Sequence, residues 1–126
     1  MAQSYPHRPI ALVVEDDEDQ RHLVTILLEE SEMTVIQCES AEAAELVMNK
    51  VGGALSLLFT DVKLAGHMSG IELANIVQKR FPDLAVIITS GHGHANLPEN
   101  TVFMPKPWNA LDILIQAQRA VEHGYH

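Results

Sequence analysis

Four short apolar runs divide the chain, and each ends on residues able to do chemistry. Ile10-Ala11-Leu12-Val13-Val14 runs into Glu15-Asp16-Asp17, and Leu57-Leu58-Phe59-Thr60 runs into Asp61. Ala85-Val86-Ile87-Ile88 ends in Thr89-Ser90, and Thr101-Val102-Phe103-Met104 leads through Pro105 to Lys106-Pro107. Runs this short and this apolar read as buried strands. Helical patterns alternate with them, which points to βαβ units and a parallel sheet. Ligands of an open parallel sheet bind just outside the carboxyl ends of its strands. The four runs would therefore deliver carboxylates, a hydroxyl and an ammonium to one crevice. Asp61 is the most pointed of these, since no structural need places an acid at the end of a buried run.

Composition narrows the partners. At 126 residues the chain fits one domain that can bury a core unaided. An apolar fraction of 47% argues against disorder, and a net charge of −9 argues against nucleic acid or an anionic membrane surface as partner. The single cysteine, Cys38, has no internal disulfide partner, which suits a reducing compartment. It reads as a small hydrophobe near a strand end. No run of about 18 apolar residues is present to span a membrane. Met1 to Pro9 has no apolar stretch of signal-peptide length, so the expected location is cytoplasmic.

Residues 1–9, with Pro6 and Pro9, read as a disordered lead, 10–122 as one domain and 123–126 as a tail. The first helix should begin near Asp17 to Asp19, because acids favour a helix N-terminus. Its expected apolar face is Leu23, Ile26 and Leu27, flanked by Val24 and Leu28. Thr34–Cys38 is a short strand, and Ser40 is a good N-cap for a helix over Ala41–Lys50. A strand over Leu55–Thr60, a helix over Ile71–Arg80 and strands over Ala85–Thr89 and Thr101–Met104 follow. The last helix is expected over Trp108–Glu122, with Leu111, Leu114, Ile115 and Gln118 facing inward. The fold class is α/β, a doubly wound five-stranded parallel sheet between helical layers.

Carboxylates gathered at one crevice repel each other and need a compensating cation or lysine. Acids, a hydroxyl and a lysine together describe a Mg²⁺-assisted phosphoryl site. Glu18 and Asp19 fit a helix terminus, whereas Glu15 and Asp16 sit at the strand end itself. Mg²⁺ takes oxygen ligands in octahedral array, often one or two carboxylates with waters and phosphate.

Several segments now form a pattern: Val13-Val14-Glu15-Asp16-Asp17, Asp61-Val62-Lys63-Leu64-Ala65-Gly66 with Ser69-Gly70-Ile71-Glu72-Leu73, Thr89-Ser90-Gly91, and Phe103-Met104-Pro105-Lys106-Pro107. In this order they resemble the receiver domain of two-component response regulators, from Ile10 to about Val121. The resemblance implies a flavodoxin-like fold with Asp61 as phosphoacceptor. It implies Mg²⁺ bound by Asp16 and Asp61, by Glu15 through water, and by the main-chain carbonyl of Lys63. A carboxylate can attack phosphorus only when its repulsion from the phosphoryl group is neutralised, which falls to the metal and to Lys106. Ser90, directly before Gly91, is the implied switch hydroxyl, with Thr89 left as a packing residue. Phe103 is the implied switching aromatic, and Lys106–Pro107 a candidate cis bond. Lys63 and His92 are candidate modulators, His92 by gating water. Two departures alter loop geometry only: Ala65 replaces a usual proline, and the loop to Ser69-Gly70 is one residue longer than the commonest form. A zinc site at His92 and His94 lacks a third ligand.

The implied function is to take a phosphoryl group from a histidine kinase or histidine phosphotransfer protein, change conformation, and lose phosphate by slow hydrolysis. That is phosphoacceptor chemistry rather than an enzyme's. Only Gly124-Tyr125-His126 follow the last helix, so a stand-alone protein signalling to a downstream protein is expected. A receiver module excised from a hybrid histidine kinase is the alternative. A Mg²⁺-dependent phosphatase with an aspartyl nucleophile would carry a second acid where Lys63 stands, and a non-phosphorylated pseudo-receiver would not need the full acid, hydroxyl and lysine set. One further expectation concerns output. A three-turn helix takes about 11 residues, but only Gly91 to Asn100 separate the last two strands, and Gly91, Gly93 and Pro98 oppose a helix. The fourth helix should be short or absent, with at most one turn around His94 to Leu97. A monomer or weak dimer through the first and last helices follows, with partner binding near Phe103 and Trp108.

Overall fold

A computed structural model describes residues 8–93 and 96–123. Most of the expected lead, the tail beyond His123, and His94 and Ala95 lie outside the described residues. Strands β1 (Ile10–Val14), β2 (Thr34–Cys38), β3 (Leu55–Asp61), β4 (Ala85–Ser90) and β5 (Thr101–Pro105) form one sheet. All pairings are parallel and the order is β2-β1-β3-β4-β5. The helices are α1 (Glu18–Glu30), α2 (Ala41–Val51), α3 (Gly70–Arg80) and α4 (Ala110–His123), with a 3₁₀ turn over Gly52–Ala54. The winding direction reverses between β1 and β3, so a crevice opens at their carboxyl ends.

The apolar runs of β1, β3 and β4 are buried on both faces, and alternation along each strand divides them between two cores. Leu12, Val14, Leu58, Val86 and Ile88 pack with Ala44 and Met48 of α2 and Leu73 and Val77 of α3. Ala11, Val13, Leu57, Phe59, Ile87 and Met104 pack with Val24 and Leu28 of α1 and Ile113 and Ala117 of α4. Cys38 is buried in the first core, as expected of a small hydrophobe. The first three helices start on Asp or Ser side-chain caps. Asp17 accepts from the Gln20 N–H, Ser40 from the Ala43 N–H, and Ser69 forms a reciprocal capping box with Glu72.

Two expected helix faces are corrected. In α1 the buried residues are Val24, Thr25 and Leu28, while Leu23 and Ile26 are exposed. The 21-24-25-28 stripe faces the sheet: Val24 and Leu28 enter the core, and Arg21 donates to the Glu15 carbonyl at 2.9 Å. In α4 the inward stripe is Ile113, Ala117 and Ala120, with Leu111 and Ile115 exposed. Small alanines let α4 lie close to its neighbours, and larger side chains on that stripe would hold it off. This helix starts at Ala110 rather than Trp108, because Asn109 caps it by accepting the Leu111 N–H at 2.9 Å.

Residues 91–93 and 96–100 contain no helix, in line with the expectation for this stretch. Leu97 packs against the core on the α2/α3 side. The Thr101 hydroxyl donates to the Pro98 carbonyl, and the Gln78 amide donates to that of Glu99.

Candidate functional site

Backbone geometry aims the acids first. Glu15 continues the ladder one residue past β1, its N–H donating to the Cys38 carbonyl at 3.1 Å. Its side chain therefore points into the crevice, and the residue is only 2% exposed. Asp61 ends β3 and is also buried, whereas Asp16 is exposed at the mouth. One carboxylate oxygen from each of Glu15, Asp16 and Asp61 lies within 4.8 Å of the others.

Gly70 holds Asp61 from behind. Its N–H donates to the Val62 carbonyl at 2.9 Å, bringing the start of α3 against the end of β3. A Cβ on Gly70 would sit 1.8 Å from the Asp61 carbonyl oxygen and 2.9 Å from the Thr60 hydroxyl. Only glycine fits such an approach.

Lys106 reaches the acids from the far side of the sheet. Its ammonium donates to Glu15 Oε1 and Asp61 Oδ2, both at 2.9 Å, and to the Gln20 amide oxygen. The Lys106–Pro107 bond that orients it is cis, as expected. Burial, helped by the Asp61 charge, raises the Glu15 pKa to about 7 against the hydrogen bonds from Lys106 and the Asp17 N–H. Burial alone would lower the Lys106 pKa, but its bonds to Asp61 and Glu15 outweigh that and hold it above the ordinary value. The proton stays on the lysine. One ammonium does not relieve three crowded acids, and an all-oxygen donor set of this kind suits a hard divalent cation.

The two candidate hydroxyls have separate partners. Thr89 is fully buried, and its oxygen accepts the Trp108 indole N–H at 2.6 Å. Ser90, at the end of β4, accepts the His92 N–H at 3.1 Å, and its carbonyl accepts the Lys106 N–H at 2.9 Å. Ser90 is thus tied to the start of the β4–β5 connection, and Thr89 to the packing under α4. The Trp108 ring meets Phe59 edge-on at 5.8 Å, and the Lys106 ammonium lies 5.2 Å from its centroid. Phe103, half-buried, pairs with Ile88 in the β4–β5 register. Lys63 and His92 are exposed.

Three participants carry no motif. Gln20 joins the lysine, and Arg21 fastens the Glu15 backbone. Glu42 of α2 closes the β3–α3 loop, its carboxylate accepting the N–H groups of His67 at 2.9 Å and Met68 at 3.1 Å. Gly66, at φ +95°, lets the loop turn over this carboxylate. The His67 bond is the main reason the Glu42 pKa falls below its ordinary 4.5. A lowered folded pKa means that the clasp is whole above the unfolded value and is lost only as pH falls through the lowered one. The His67 and Met68 amides should therefore exchange slowly with solvent at neutral pH despite their loop position. Replacing Glu42 by Ala should speed exchange at these two amides selectively, as read by hydrogen-exchange NMR; unchanged rates would exclude the clasp.

Known proteins agree with this geometry. The response regulator receiver domain profile matches residues 11–113. An NtrX-like response regulator of Rickettsia bellii is 30% identical over 119 residues, covering 88% of this chain but 24% of that protein. The chain thus spans about a quarter of the length of that relative. The crystal structure of the NtrX receiver domain from Brucella abortus is 30% identical, covers 89% of this chain and 98% of that one, and superposes with a TM-score of 0.74. A receiver domain from Clostridium thermocellum, at 24% identity, shares the fold with a TM-score of 0.84. With its five-stranded parallel sheet and its acid cluster facing one lysine, the chain belongs to the response regulator receiver domain family.

Proposed function

We propose that the chain accepts a phosphoryl group on Asp61 from a phosphohistidine of a histidine kinase or histidine phosphotransfer protein. One observation carries this reading: the Lys106 ammonium bridges Asp61 and Glu15 where three carboxylates converge. A carboxylate oxygen of Asp61 attacks phosphorus, the P–N bond breaks, and the imidazole leaves with the electron pair. Hydrolysis by water then returns the Asp61 carboxylate and inorganic phosphate. Lys106 offsets charge on the phosphoryl oxygens as a compact, fixed ammonium. Ser90 is the hydroxyl placed to answer the new charge, because its partner is a loop N–H rather than a buried indole.

Asp16 and Asp61, with Glu15 through water and the Lys63 carbonyl, would hold Mg²⁺. When bound, the metal supplies charge neutralisation at the phosphoryl oxygens. On this reading the chain is a phosphoacceptor rather than an enzyme acting on an external substrate, and Lys63 stands where a phosphatase of this type would carry its second acid. Exposed Leu23 and Ile26 of α1 and Leu111 and Ile115 of α4 suit the docking of a phosphodonor. No described helix is long and apolar enough to cross a membrane. The cytoplasm, where kinase and phosphodonor would meet it, is the proposed location. The same chemistry would serve a receiver module within a longer chain.

Labelling with acetyl phosphate and Mg²⁺, followed by mass mapping of the modified residue, tests the reading; a label away from Asp61, or none, would overturn it. Asp16→Asn should weaken Mg²⁺ binding by roughly 100-fold, since one carboxylate ligand is lost. A Mg²⁺ titration followed by Trp108 fluorescence checks this, and equal affinity in both proteins would remove Asp16 from the ligand set.

A further inference from the structure

An ammonium has three N–H donors, and those of Lys106 meet three oxygens: Glu15 Oε1, Asp61 Oδ2 and Gln20 Oε1. Two of these belong to the acid cluster, and the third is a neutral amide outside it. The amide arrives from a rigid base. Gln20 lies in the first turn of α1, its N–H bound by the capping Asp17 at 2.9 Å. The next residue, Arg21, is fastened to the Glu15 carbonyl at 2.9 Å. The indole face of Trp108 lies near the same ammonium, its own N–H fixed on Thr89.

We infer that Gln20 is a positioning residue for Lys106, holding the ammonium beside Asp61 without neutralising it. The inference rests on Asp61 being the phosphoacceptor. A lysine stem is flexible, and its charge helps only when it stands where the phosphoryl oxygens will be. Glu15 and Asp61 hold it there in the free protein, but a divalent cation or a phosphoryl group would draw on those same oxygens. The Gln20 oxygen is free of that competition. A carboxylate in its place would bind the ammonium more strongly and cancel the charge that the phosphoryl group needs. A neutral acceptor is the side chain that positions and does not quench.

Rates of labelling by acetyl phosphate with Mg²⁺ test this in wild type, Gln20→Leu and Gln20→Glu. Gln20→Leu should label roughly five-fold more slowly and Gln20→Glu more than about ten-fold more slowly. In a Lys106→Ala background Gln20→Leu should not further change the slow labelling that remains, because its effect passes through the lysine. A second readout needs no phosphorylation: the Lys106 Cε protons, next to an ammonium 5.2 Å from the Trp108 ring centroid, should resonate upfield, and Gln20→Leu should move them toward the ordinary lysine position. Gln20→Leu labelling as fast as wild type or faster would overturn the inference, as would an equal loss in the Lys106→Ala background. Should wild type take no label at Asp61, the proposed function fails by itself, and an unmoved Lys106 proton shift in Gln20→Leu would separately dismiss the Gln20 role.

Discussion

The Asp61→Asn protein should fold as the wild type does and take up no label from acetyl phosphate or from a phosphohistidine donor. The amide keeps the shape of the carboxylate, and Lys106 retains its bonds to Glu15 and Gln20. One of three crowded negative charges disappears, which relieves repulsion rather than adding strain. An amide is a far poorer nucleophile than a carboxylate, because its nitrogen lone pair is delocalised into the carbonyl. A fall of at least about 1000-fold in labelling rate is expected. Phosphoprotein gels or intact-mass spectra read the label, and circular dichroism reads the fold. Undiminished labelling of a folded Asp61→Asn protein would move the acceptor to another carboxylate, Asp16 being the nearest exposed one.

Gly70→Ala should have the second largest effect, although it adds a single methyl and removes no chemical group. The added carbon would stand 1.8 Å from the Asp61 carbonyl oxygen, a backbone atom that no rotamer change can withdraw. Either the first turn of α3 moves away, opening the capping box of Ser69 and Glu72, or the end of β3 moves and takes Asp61 with it. Relief of such a clash costs on the order of 3 kcal/mol, at the upper end for an overpacked site. Urea unfolding should show a lowered midpoint, and labelling in the folded fraction should slow because the nucleophile is displaced. An unfolding midpoint equal to that of wild type would show that the contact yields freely.

Much of the fold is written locally in the chain. β1 and β2 begin and end where their patterns do, and β1, buried on both faces, has no polar residue to blur its bounds. The helices over Ala41–Val51 and Gly70–Arg80 are announced by Ser40 and Ser69, whose side chains cap them directly. Glu15, Asp61 and Lys106 are legible for a related reason: an ionisable residue closing a buried strand needs a partner, and the strand ends supply one another. The rotation of α1 was not legible. Leu23, Val24, Ile26, Leu27 and Leu28 offer apolar side chains in too many directions, and the choice among them is made by packing against a sheet and a last helix that lie outside the segment. Gln20 is hidden in the same way, since its partner lies 86 residues away and an amide in a first helical turn looks like any solvated residue. The Thr89–Trp108 bond also depends on two segments meeting, and nothing in either segment foretells the other.

The plain connection between β4 and β5 has a consequence of reach. Thr101 pairs beside Val86 and Pro105 beside Ser90, so the chain leaving Ser90 must return about 13 Å down the sheet before it can pair again. Crossing over a face also takes it off the sheet and back by about 10 Å each way. Ten residues cover roughly 33–36 Å when extended but only about 15 Å as a helix. A regular helix over all ten residues would leave too little chain to close the crossover, and the described residues 91–93 and 96–100 hold none. A receiver with a long, helical crossover can absorb a shift at its switch hydroxyl within that helix. Here, with no helix among the described residues of the connection, a shift at Ser90 would meet no such reservoir before Thr101, the first residue of the strand that leads to Lys106.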